Sequence, residues 1–350
     1  MPNIDKFEHF RLVVDKGQSA TRIDKFISTH LEHTSRNRIQ QAIDAKYVEI
    51  NGQIVKANCK VKPLDIITIN LPYERHEFSI VPQDIPLDIR YEDNDVLVVY
   101  KPAGMVVHPG AGNFDGTLIN ALAFYLHLNP VSTKIEDGQK SVSEEDQRMG
   151  VLVHRIDKDT SGLLLVAKNE NAQLKLAKQF FDHSINRKYV AIVWGDLEND
   201  EGIIEGNIGR DPNDRLKFKV FADGSEGKTA VTHYKVLKRF GYVTLVECIL
   251  ETGRTHQIRV HMNYIGHPIF NDEKYGGDRI RKGAIYTKYK QFIKNCFKLL
   301  PHQALHAKTL GFIHPATGKH ILINSNIPSD MVAVLDKFDI FARNSKEILE

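Results

Sequence analysis

The pattern of apolar and polar positions is most informative between residues 151 and 166. Two short apolar runs, Val151-Leu152-Val153 and Leu163-Leu164-Leu165-Val166, flank a polar segment, His154-Arg155-Ile156-Asp157-Lys158-Asp159-Thr160-Ser161-Gly162. Each run is too short for a helix, and short apolar runs bounded by turn residues are the mark of buried strands. The chain is therefore predicted to leave the core, present one charged loop and return at Gly162. Loops held on a rigid scaffold are where chemistry concentrates.

Upstream the period changes. Ile23, Phe26, Ile27 and Leu31 have helical spacing, and Ser35 fits the N-cap of a second helix carrying Ile39, Ala42 and Ile43 and ending near Lys46. Val48 and Ile50, then Asn51-Gly52, then Ile54 and Val55 predict a hairpin with a type I′ turn, and Ile66 to Ile69 a final strand. Residues 1–11 read as a flexible lead-in. Residues 72–86, with Pro72, Pro82 and Pro86, read as a linker.

Downstream, Leu87, Ile89 and Tyr91 alternate, a turn falls at Asp93-Asn94, and Val96 to Tyr100 form a strand broken by Lys101-Pro102-Ala103-Gly104. Asp115 or Thr117 caps a helix with Leu118, Ala121, Leu122 and Tyr125, and Asn169 caps another with Ala172, Leu176 and Phe180. Residues 130–148 are polar and aperiodic, a surface loop. Arg187 to Val193 is a strand. Ile203–Ile208, Leu216–Phe221, Thr229–Leu237 and Tyr242–Leu250 read as an antiparallel meander. Residues 276–300, a glycine pair and a lysine-rich helix, read as a surface insertion. Gln303–Phe312 and His320–Ile323 read as closing strands before a helix capped by Ser329.

Composition adds bounds. A chain of 350 residues accommodates two or three domains, and 42% hydrophobic with 26% charged residues is ordinary globular usage. No run of about 18 apolar residues is present to span a membrane. The charged N-terminus lacks a signal-like apolar stretch, which favours the cytoplasm. Cys59, Cys248 and Cys296 form no CxxC pair, so neither a disulfide framework nor a zinc ribbon is expected. The net charge of +3 is too small to indicate a polyanionic partner. Its distribution says more: Arg36, Arg38, Lys46, Lys56, Lys60 and Lys62 face only Asp44 and Glu49 over the same stretch. A compact basic footprint is what phosphate binding needs, and a solvated helix face would carry the same charges.

The polar loop resembles the HRLDxxTSGL signature of the RluA-type pseudouridine synthases, with Ile156 where leucine is usual. Three further stretches resemble motifs of that family: Lys101 to Pro109 (KPxGxxVHP), Arg187 to Ala191 (KxYxA) and Gly253 to His261 (GRTHQIRVH). Residues 18–71 resemble the αL, or S4-like, RNA-binding module. The stretches at Pro82–Asp88, Val106–Asn113 and Gln303–Ala307 are most similar to the RluD branch, which acts on a stem-loop of large-subunit ribosomal RNA.

The resemblance implies an α+β fold: a mixed, mainly antiparallel sheet with flanking helices and a central cleft over residues 87–345. A small RNA-binding domain over 12–72 and a linker over 73–86 precede it. It implies isomerisation of uridine to pseudouridine, a reaction that needs neither cofactor nor metal, in a monomer whose partner is ribosomal RNA. Asp157 would be the catalytic carboxylate, Arg259 the cation that keeps it ionised, and Tyr189 the ring stacked on uracil. Ile258 would pack in the same pocket, and Arg155 would fill the gap left by a uridine extruded from its stack. Arg36, Arg38 and Lys46 would meet RNA phosphates. His154, His256 and His261 lack metal-ligand spacing and read as orienting or packed residues. Two rivals stand beside this reading. A magnesium-dependent phosphatase is suggested by Asp157-Lys158-Asp159, but it requires strand–helix alternation where residues 203–250 show consecutive strands. A non-catalytic RNA-binding factor gives no reason for the charged loop.

Overall fold

The structure is a computed structural model. It describes residues 7–15, 17, 20–30, 36–71, 79–109, 113, 115–128, 131–132, 152–214, 216–283 and 286–347. Two compact units divide at Ser79/Ile80, and a short strand at Val131–Ser132 groups with the first.

The smaller unit contains β1 (Phe7–Val13), β2 (Thr21–Arg22), α1 (Ile23–His30), α2 (Arg36–Asp44), β3 (Val48–Ile50), β4 (Gln53–Ile54), β5 (Lys60–Val61) and β6 (Ile66–Leu71). The apolar positions that predicted the helices, Ile23, Phe26, Ile27, Ile39 and Ile43, are buried together with Val48, Val61 and Ile67. Asn51 and Gly52 both have positive φ, as a type I′ turn demands. The predicted lead-in differs from expectation. Phe7–Val13 is a strand, pairing antiparallel with β6 from Phe7↔Leu71 to Val13↔Ile66. It covers an edge that β6 would otherwise leave open, and Phe10 and Leu12 pack on the core. Ser35, the expected N-cap, lies outside the described residues.

The short strand β7 (Ser79–Ile80) spans the boundary, and the larger unit continues with β8 (Asp88–Glu92), β9 (Val96–Lys101) and α3 (Leu118–Tyr125). After β10 (Val131–Ser132) come β11 (Ser161–Ala167), α4 (Glu170–Phe181), β12 (Asn186–Trp194), β13 (Glu201–Arg210), β14 (Phe218–Phe221), β15 (Lys228–Arg239) and β16 (Val243–Leu250). The chain closes with α5 (Gln257–Tyr264), α6 (Thr287–Leu299), β17 (Leu305–Ile313), β18 (His320–Asn324) and α7 (Ser329–Glu347). Ten strands make one sheet in the order β14-β13-β15-β16-β12-β17-β11-β9-β8, with β18 on β17. Every pairing in it is antiparallel except β11 with β17, so the sheet is mixed and mainly antiparallel as expected.

Three local expectations are corrected. The first apolar run is not a strand: Leu152 makes a single bridge to Val166, and Val151 lies outside the described residues. The N–H of Leu165 is taken instead by His154 Nε2 at 2.8 Å, so a side chain replaces the backbone ladder and the chain peels away. The strands of 203–250 are not a simple meander, because β13 lies between β14 and β15. The lysine-rich helix is no surface appendage either. Tyr289, Ile293 and Cys296 line one buried face of α6 and share a core with Met331, Val334 and Phe338 of α7.

Candidate active site

The loop carrying Asp157 is held by buried polar groups from both sides. Lys101, at the end of β9, is fully buried, and its ammonium donates to the carbonyls of Pro102, Met105 and Lys158, each at 2.8 Å. Three acceptors match its three protons. Burial nevertheless pulls its pKa down to about 7, against the opposing charges of Asp159 and Asp157. The Lys158 carbonyl also accepts from Gly104 N–H at 3.0 Å, so the Lys-Pro-Ala-Gly turn frames the loop. On the other side Gln303 donates to Thr160 Oγ1 at 2.8 Å, and Ser161 Oγ is 2.9 Å from His306 Nδ1. Gly162, where the chain returns to the sheet, has φ +116°, and a β-carbon there would stand 2.2 Å from the Ala307 carbonyl oxygen. Only glycine permits that close parallel crossing.

Arg259 comes from α5, whose start is fixed by Gln257. Its amide oxygen accepts from Arg254 N–H and Thr252 Oγ1 (2.9 and 2.8 Å), and its nitrogen donates to the Val231 carbonyl. One buried guanidinium then serves two carboxylates. Nε and Nη2 donate to the fully buried Asp272 at 2.7 and 2.9 Å, leaving Nη1 for Asp157 Oδ2 at 2.9 Å. The Tyr275 ring lies 5.1 Å from the guanidinium carbon. Burial disfavours the charge of Arg259, but Asp272 and Asp157 outweigh it and raise its pKa above the usual arginine value. Such a fork fixes direction in a way that a point charge cannot.

The second oxygen of Asp157 is not bonded this way. Its Oδ1 faces His256 Nε2 at 4.0 Å. His256 sits in left-handed conformation at the N-cap of α5, with Nδ1 2.7 Å from the Tyr275 hydroxyl, which itself accepts from Phe218 N–H at 3.2 Å. Of the two ring nitrogens, Nδ1 is engaged by this hydroxyl and Nε2 is the one that faces Asp157. Burial keeps the ring neutral by lowering its pKa to about 4.

Asp157, Arg259, Tyr189 and Ile258 line one cleft of about 580 Å³, with Arg155, Arg187, Leu250 and Leu305 among its other walls. Tyr189 is 8% exposed and Ile258 3%, so each offers an edge to the cleft from within the core. Burial raises the pKa of the Tyr189 hydroxyl.

Residues 95–264 match the family model described as RNA pseudouridylate synthase, and residues 21–67 match the S4 domain. The chain is 43% identical over 326 residues to the uncharacterized RNA pseudouridine synthase YlyB of Bacillus subtilis, covering 93% of this chain and 96% of that protein. It is 42% identical over 325 residues to ribosomal large subunit pseudouridine synthase D of Zymomonas mobilis, covering 92% and 95%. The chain belongs to the RNA pseudouridine synthase family. It is an isomerase that converts uridine to pseudouridine in RNA, and it carries an S4 domain. Among solved structures, human RNA pseudouridylate synthase domain containing 4 shares the fold, with a TM-score of 0.52 at 23% identity over 72% of this chain and 92% of that one.

In this synthase the structure brings Asp157, Arg259, Tyr189 and Ile258 together, with Arg155 exposed on the same cleft. Arg36 and Arg38 stand in the first turn of α2 in the smaller unit, their side chains outside the described residues. Lys46 follows the far end of the same helix, at φ +60°. The sequence reading did not single out Asp272, Tyr275 or Arg187. Asp272 follows Asn271, a residue with φ +57°, in an aperiodic turn, so no spacing announces it. Arg187 lies over Phe180 at 5.4 Å, and its buried Nε has no hydrogen-bond partner among the described residues. Among the described residues the group with metal-ligand geometry is Asp93, Asp95 and His314, none of which lines the cleft. No described helix is long and apolar enough to cross a membrane.

Proposed function

We propose that this synthase isomerises specific uridines of large-subunit ribosomal RNA, with Asp157 as the reacting carboxylate. The observation that carries this reading is the division of labour at Asp157: Oδ2 is engaged by Arg259, while Oδ1 stays open toward the cleft beside Tyr189. A uridine extruded from its stack fills the cleft, at a cost of a few kcal/mol. Asp157 acts on the ribose as nucleophile or as base, the N1–C1′ bond breaks, and the base turns so that C5 bonds to C1′. The C5 proton leaves and N1 gains one, so the sum is an isomerisation without redox change or outside reactant. Tyr189 stacks on the ring and assists that proton transfer, Ile258 packs beside it, and Arg155 occupies the vacated place in the RNA.

The substrate assignment draws on relatives named for the large ribosomal subunit, among them those of Zymomonas mobilis and Vibrio parahaemolyticus. Residues 12–72 act as the RNA-binding module, with Arg36, Arg38 and Lys46 meeting phosphates. Residues 73–86 link it to a catalytic domain over 87–345. The protein works as a cytoplasmic monomer without cofactor or metal. Mapping pseudouridine in ribosomal RNA from cells with and without the gene tests the reading: sites in large-subunit RNA should disappear on deletion. An unchanged large-subunit map, with sites lost from another RNA, would replace the substrate.

A further inference from the structure

Tyr275 lines a second cleft of about 550 Å³, bounded by β14, the far end of α5 and the turn after Asp272. Lys219, Lys274, Arg279 and Arg281 all line it. Lys217, also on its wall, is paired with Asp214 at 3.3 Å. Among the described residues, none of the other four has a carboxylate within 4 Å, although Asp211, Glu273 and Asp278 share the lining. The two arginines crowd each other. Their terminal nitrogens lie over one face of Gly276, 2.2 and 3.4 Å from the point where its β-carbon would stand. Arg281 is anchored there by a 2.6 Å bond from Nε to the Gly276 carbonyl. Burial and the neighbouring Arg279 lower the pKa of Arg281 and prevail over Asp278, which raises it.

Two neighbouring guanidiniums, neither with a carboxylate within 4 Å among the described residues, match the oxygens of a phosphodiester. We propose that this second cleft binds a backbone phosphate of the substrate RNA, on the strand that delivers the uridine to Asp157. The inference rests on the function proposed above and adds to it a place where the catalytic domain itself holds the strand. Tyr275 links the two: it lines the second cleft, and its hydroxyl meets His256, which lines the active-site cleft. From Tyr275 the contacts run on to Asp157 through His256 and Arg259. Phosphate contacts of this kind set register and carry no sequence information.

The test uses the full chain and unmodified, transcribed large-subunit ribosomal RNA. The double variant Arg279→Gln/Arg281→Gln should bind this RNA about tenfold more weakly, and its plot of log K against log salt should be shallower by about 1–2 between about 50 and 200 mM. In turnover the loss should appear mostly in KM. Lys219→Gln/Lys274→Gln, in the same lining, should act in the same direction and carries the test if the arginine variant melts early. An unchanged affinity and salt slope in a folded variant would overturn the proposal. So would a variant that loses thermal stabilisation by inorganic phosphate yet binds RNA normally, which would mark a site for free anions. Should the wild type bind RNA with the predicted arginine dependence but leave every uridine of this RNA unmodified, the substrate reading fails and the phosphate cleft stands.

Discussion

Two aspartates in this enzyme show what separates a saturated carboxylate from one with an open oxygen. Asp93 has every lone pair spoken for. Its Oδ1 accepts from the N–H groups of Asp95 and Val96 at 2.8 and 2.9 Å, and its Oδ2 meets the Tyr91 hydroxyl and His314 Nε2, both at 2.7 Å. Burial pushes its pKa up, but those hydrogen bonds prevail and hold it at about 2. Asp95 and His314 beside it have the spacing of metal ligands, yet the saturated oxygens of Asp93 leave nothing to offer an ion. Asp157 has one strong partner on one oxygen, and its other oxygen stands 4.0 Å from His256. The first arrangement locks the β8–β9 turn to the β17–β18 turn, whereas the second leaves an oxygen open on a cleft, as the proposed reaction requires.

Breaking each part of the open arrangement should give a graded loss. Asp157→Asn should lower kcat by more than about a thousandfold while RNA affinity stays within twofold, read by single-turnover isomerisation and by filter binding. Arg259→Lys removes the fork. An ammonium cannot reach Asp272 twice and Asp157 once, so kcat should fall about a hundredfold and unfolding free energy by about 3–5 kcal/mol in urea melts. His256→Asn removes the ring that faces Asp157 Oδ1, and a drop of about tenfold in kcat with little change in KM is expected. Retention of full activity would remove His256 from the account.

The smallest effect is one of pH. Burial holds His154 at about 3 and His256, His261 and His306 at about 4, all below the ordinary histidine value of 6.5. The unfolded chain takes up those protons near 6.5 and the folded chain only near 4. Stability is therefore full above about pH 6.5 and declines as pH falls toward 4. Melting temperature measured across that window should drop steadily; a flat profile would mean that these rings are not held neutral.

Much of this was legible in the sequence, and the failures have physical causes. The charged loop was visible because its flanking runs are apolar, and Arg259 because its motif is. The helices of the smaller unit followed from the spacing of Ile23, Phe26 and Ile27. Asp272 was invisible: it pairs with Arg259 thirteen residues away through a turn that follows no period. The first apolar run was misjudged because a histidine side chain takes the N–H that a neighbouring strand would take, and alternation of residues cannot register that exchange. The face of α6 was hidden by its lysines, which sit at positions between the buried Tyr289, Ile293 and Cys296.

The most direct measurement sets the two aspartates side by side. Single-turnover isomerisation and thermal melting would be recorded for Asp157→Asn and Asp93→Asn under the same conditions. The account predicts that the first loses turnover and keeps its RNA affinity. The second should keep turnover and lose about 1–3 kcal/mol of stability as buried donors go unpaired. Turnover surviving in Asp157→Asn would contradict it.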